Sequence, residues 1–157
     1  MKKATFILLF MMGILSLINA ESSALMNKQF RDSIFQTAKS EPNDTLRLQI
    51  LREAFQQYIG QDAALEFLDS ALALSKQKEM HEEELGALFD YCRHYEYRGD
   101  LSNMEQYFRI LKESSYQYKD YSFYYTIWLA ILQIRCAQGD TEYAIMQAKE
   151  MQKEAIR

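Results

Sequence analysis

Three glycines, Gly60, Gly99 and Gly139, stand 39 and 40 residues apart, and each interrupts a stretch whose apolar residues recur at helical spacing. A fixed period in this range, carried by amphipathic helices, constrains the fold more than any other feature of the chain. A single helix pair cannot bury its apolar face alone, so repeated pairs stack on their neighbours. The expected fold is therefore all-α, an α-solenoid of about three helix-turn-helix units behind an N-terminal helix. One Pro and five Gly among 157 residues leave little turn chemistry for an all-β alternative.

The middle unit shows the plan most clearly. Leu85, Leu88, Tyr91, Cys92 and Tyr95 line a first helix, Gly99-Asp100 turns the chain, and Leu101, Met104, Tyr107, Phe108 and Leu111 line a second. Glycine supplies the left-handed residue that ends one helix, and Asp100 caps the next. The preceding unit carries Leu48, Leu51, Ala54, Phe55, Tyr58 and Ile59 before Gly60-Gln61-Asp62, with Asp62 as the expected N-cap. Ala64, Leu65, Leu68, Ala71, Leu72 and Leu74 follow it. The last unit holds Trp128, Ile131, Leu132 and Cys136, then Gly139-Asp140, then Ala144, Ile145, Ala148 and Met151. Unit boundaries fall at 44–79, 80–119 and 120–157.

Ahead of these units, residues 24–38 have helical periodicity, and Ser40-Glu41-Pro42-Asn43 ends the run because Pro cannot donate and restrains the residue before it. Asn43-Asp44-Thr45 reads as a cap for the following helix in preference to a glycosylation acceptor. Lys2-Lys3, the apolar run from Phe6 to Ile18 and the small Ala20 have the layout of a secretory signal. The apolar run is shorter than the roughly 20 residues that span a bilayer. Cleavage near Ala20 is expected, with an uncleaved anchor as the rival, which makes 21–43 a leading helix and linker. The mature chain is then expected in a periplasm or outside the cell.

Charge and composition narrow the partners. Setting aside Lys2 and Lys3 leaves 16 basic against 22 acidic side chains, with no basic cluster, so nucleic acid is not an expected partner. Cys92 and Cys136 are expected to be packed and unbridged. No catalytic constellation emerges. His81-Glu82-Glu83-Glu84-Leu85 has Leu85 where a zinc-binding helix needs a second His, and the acidic run reads as a solvated helix start. Asp90, Glu96 and Asp100 read as surface partners of Arg93 and Arg98. Tyr116, Tyr118, Tyr121, Phe123, Tyr124 and Tyr125 read as helix-junction packing before a ligand-stacking site. No enzyme activity, metal or cofactor is expected.

The middle unit resembles the tetratricopeptide repeat. Leu88, Tyr91, Cys92, Tyr95, Met104, Phe108 and Leu111 fall where that pattern has Trp, Leu, Gly, Tyr, Ala, Phe and Ala, and Trp128, Ile131 and Ala144 occupy matching places in the last unit. The departures are a period longer than the usual ~34 residues, Arg135 at the Tyr position, Ala148 at the Phe position and no closing Pro. The signal-like start, residues 44–48 and 71–78, and the stretch from Tyr124 to Met151 also resemble the periplasmic repeat regions of bacterial sensor histidine kinases. This resemblance implies a groove lined by the first helix of each unit, formed by Gln49 and Glu53, then Phe89, Arg93 and Tyr97, then Leu129 and Gln133. It implies a protein or peptide partner, as the sensing or docking region of a two-component signalling protein. The alternative is a stand-alone secreted scaffold for complex assembly. The apolar Ile145, Met146, Met151 and Ile156 at the end are expected to meet further repeats, which would lead to a membrane span, or a second copy of the chain.

Overall fold

The computed structural model describes residues 28–155, which form seven helices and, among the described residues, no strand. The signal-like segment, the start of the leading helix and Ile156 lie outside the described residues. Helix α1 covers 28–40. It is followed by α2 (Asp44–Tyr58), α3 (Ala63–Gln77), α4 (His81–Tyr97), α5 (Leu101–Tyr118), α6 (Tyr124–Ala137) and α7 (Thr141–Ala155). The chain divides into two compact units, one ending at Pro42 and the other beginning at Asn43. In the first, Ser33 and Thr37 return their hydroxyls to carbonyls one turn back, and Ser40 donates to the Thr37 carbonyl.

In the second unit each helix packs on its sequence neighbours, and α4 also packs on α6. The glycine turns have the expected left-handed backbone, with φ of +84° at Gly60, +68° at Gly99 and +89° at Gly139. After α4, the Asp100 N–H returns to the Tyr95 carbonyl over 2.9 Å and Gly99 to Glu96 over 3.0 Å, while Asp140 and Gly139 close α6 in the same way. These bonds satisfy carbonyls that a helix end otherwise leaves open. Asn43 and Asp100 cap as expected, accepting from the backbone N–H of Leu46 and Asn103, each over 3.1 Å.

The opposite set of turns differs. The α3–α4 and α5–α6 turns place Glu79 (φ +54°) and Lys119 (φ +58°) in the left-handed region. Met80 and Asp120 then donate back to Ser75 and Ser115. Hydrogen-bond closure of the helix end thus holds a strained backbone without glycine.

One core runs through α4 to α7, built on Leu85, Leu88, Cys92, Met104, Leu111, Tyr124, Ile127, Trp128, Ile131, Leu132 and Ala144. The buried faces of α2 and α3 carry Leu48, Leu51, Phe55, Phe67 and Leu68. Helix α5 runs to Tyr118, so Tyr116 and Tyr118 end this helix, and Tyr124 and Tyr125 begin the next.

Four local readings are corrected. Asp62 makes no capping bond and has helical dihedrals; its carboxylate accepts from Arg98 instead. Asp90 is buried, and Arg98 pairs across the fold, so neither belongs to a string of surface pairs along α4. The Glu82–Glu84 run does open α4, but Glu84 turns inward and is buried. Cys136 is exposed while Cys92 is buried, and both thiols are free.

Candidate functional site

The seven residues expected to line a groove lie on α2, α4 and α6. Gln49, Glu53, Arg93, Tyr97, Leu129 and Gln133 are exposed, with Tyr97 72% and Leu129 49% accessible. Phe89 is half-buried and meets the Phe123 ring at 5.3 Å, so it joins α4 to the start of α6 and offers little surface to a ligand. Gln49 donates to Glu53 over 2.8 Å, one turn along α2. Those two residues share a cavity of about 350 Å³ with Thr45, Arg52, Gln56 and Glu83. Sequence reading did not single out Arg52, yet it is the one cation among the described residues that line this cavity.

Arg52 reaches from α2 to α4. Its Nε donates to Asp90 over 2.8 Å, and a guanidinium NH group stands 3.5 Å from Glu83. Burial raises the Asp90 pKa, with the Arg52 charge and hydrogen bond opposing that shift. The guanidinium lies against Gly86, where an added Cβ would be 3.0 Å from a terminal nitrogen. Glycine within a helix costs about 1 kcal/mol relative to alanine, and here it makes room for a cation from another helix. Gly86 inside an otherwise regular helix was the available signal that a partner approaches closely.

At the glycine-turn end, the Gly60 N–H donates to Nδ1 of the buried His94 over 3.3 Å, and Nε2 of His94 has no hydrogen-bond partner among the described residues. Burial lowers the His94 pKa, the Arg98 charge lowers it further, and Asp62 opposes both. The Tyr97 ring lies over the same turn. A Cβ at Gly60 would fall 2.4 Å from this ring, which is exposed and would have to turn aside, while the φ of +84° itself favours glycine.

The aromatic cluster is a packed junction with a polar lock. Tyr116 and Tyr124 both donate to Oε2 of Glu154, and Lys112 meets Oε1 at 2.8 Å. The Lys112 ammonium also stands 4.5 Å from the Trp128 ring centroid. Burial acts to raise the Glu154 pKa, but these donors outweigh it and the net shift is downward. Tyr124 is shifted upward by burial and by its bond to Glu154. Three donors from α5 and α6 thus hold one carboxylate of α7.

A cavity of about 510 Å³ lies at the other end of the helices and is lined by Lys76, Glu79, His81, Glu84 and Tyr118. Tyr118 donates to Oε2 of buried Glu84 over 2.9 Å and stacks on His81 with ring centroids 4.0 Å apart. Among the described residues, no group of three His, Cys, Asp or Glu side chains is arranged to hold a metal ion, and no helix is long and apolar enough to cross a membrane. No family model, curated protein or solved structure matches the chain.

Proposed function

We propose that this chain is a non-enzymatic helical-repeat module that binds a protein or peptide along the face formed by α2, α4 and α6. The carrying observation is the alignment of first helices. Arg52 joins α2 to α4, α4 packs on α6, and this series presents Gln49, Glu53, Arg93, Tyr97, Leu129 and Gln133 to solvent. Packing between sequence neighbours and the recurring glycine turns support reading the array as an α-solenoid of tetratricopeptide-like pairs. Amide, Arg and apolar side chains on one surface suit an extended segment, whose main chain needs hydrogen bonds and whose side chains need apolar contact. With the signal-like start, the reading extends to the sensing or docking region of an exported two-component signalling protein.

The test is a peptide-display selection against the full chain, with selected peptides titrated against variants. Arg93→Ala and Leu129→Ala should each weaken binding while leaving the melting temperature nearly unchanged, because both side chains are exposed. Lys149→Ala, on the exposed face of α7, should leave affinity unchanged. Peptides that lose affinity only with the α7 variant would place recognition elsewhere and reject the α2–α4–α6 surface.

A further inference from the structure

We propose that the 510 Å³ cavity between the end of α3, the start of α4 and the end of α5 is a second binding site, for a small organic cation bearing an ammonium or guanidinium group. It is separate from the α2–α4–α6 surface and does not rest on that reading. Its floor is Glu84, a carboxylate only 5% exposed. Tyr118 occupies one carboxylate oxygen. Among the described residues the other has only the Lys76 ammonium, 4.0 Å away and beyond hydrogen-bonding distance. Lys76 is half-exposed and can swing into water when a better-placed cation enters. Glu79 adds a second carboxylate at the rim, so the lining carries two acidic groups against one Lys.

The backbone favours the same sign of charge. Helices α3 and α5 bring their C-terminal, negative ends to this cavity through Lys76 and Tyr118, and the positive start of α4 is already faced by its own Glu82, Glu83 and Glu84. The stacked Tyr118 and His81 rings form a flat wall beside the carboxylate. An incoming ammonium would displace Lys76 from its oxygen of Glu84 and donate there and to Glu79, while its carbon chain lies along the rings.

The experiment is an amide-resolved NMR titration of the full chain with n-butylammonium chloride, using sodium chloride and n-butanol as references. Saturating shifts are expected at residues 76–84 and at Tyr118, and neither reference should reproduce them. Glu84→Gln should weaken binding by about tenfold or more, as loss of a charged hydrogen bond predicts. Glu79→Gln, at an exposed position, should weaken it several-fold without loss of fold. Lys76→Met should tighten it by removing the competing cation. Absence of saturation, equal shifts with n-butanol, or unchanged affinity in both glutamate variants would overturn the proposal. So would weaker binding in Lys76→Met, or a loss of affinity confined to Glu53→Gln on α2.

Discussion

Arg52 on α2 and Asp90 on α4 are 38 residues apart in sequence and joined by a 2.8 Å charged hydrogen bond. The carboxylate side chain is 2% exposed and the guanidinium side chain 33%, so the pair is lopsided. Removing the Arg strands a buried charge; removing the Asp leaves a cation that can reach water. Arg52→Ala is expected to cost about 2–3 kcal/mol and Asp90→Ala less, by urea unfolding. Gly86→Ala should stabilise by about 1 kcal/mol in the Arg52→Ala background and by less in the parent, because only the parent has a guanidinium to displace. Equal gains in the two backgrounds would show that Gly86 does not serve Arg52.

Trp128 is 3% exposed among Phe108, Tyr124 and the Lys112 ammonium. Trp128→Ala should cost about 3–5 kcal/mol, since α5 and α6 cannot close over the space it leaves. A loss below about 1 kcal/mol in chemical denaturation would contradict its place in the core.

Among the described residues, the two left-handed positions that are not glycine offer a gain of stability. Glu79→Gly and Lys119→Gly should each relieve about 1–2 kcal/mol of backbone strain, offset in part by greater freedom of the unfolded chain. The net expectation is a stabilisation of about 0.5–1 kcal/mol, read as a raised melting temperature. Gly99→Ala, with open space around its Cβ position but φ of +68°, should destabilise by about 1–2 kcal/mol through backbone strain alone.

His94 makes stability depend on pH. Its folded pKa lies below the ordinary value, so the unfolded chain takes up its proton first as pH falls. Its contribution is whole above about pH 6.5 and is lost as pH falls from there toward the lowered folded value. Asp62, Arg98 and the rings of Phe55 and Tyr95 surround this histidine, and burial is the leading cause of the shift. Asp90 acts in the opposite sense, because its raised pKa favours the folded state as it protonates. Melting temperatures from pH 7.5 to 5.5 should fall for the parent and fall less for His94→Gln. Identical slopes would remove His94 as the cause.

The residues that the sequence resolved by itself act over four or five positions. Asn43 and Asp100 cap, Gly60, Gly99 and Gly139 turn the chain left-handed, and the apolar spacing of α4 and α5 sets their buried faces. Each effect is governed by backbone bonds or side-chain spacing within one or two helical turns, so neighbouring residues suffice to predict it.

Tertiary structure decided the polar interior. Asp62 could cap α3 or pair with Arg98, and Asp90 could face water or Arg52; both partners come from elements more than 30 residues away. The inward turn of Glu84 depends on Tyr118, and the fate of Cys136 depends on which side of α6 is left uncovered. Buried charge is tolerated only where a partner arrives in the right geometry, and helix periodicity does not encode which distant side chain will arrive. The helices follow from local chemistry, whereas the cavity around Glu84 exists only because three helix ends meet.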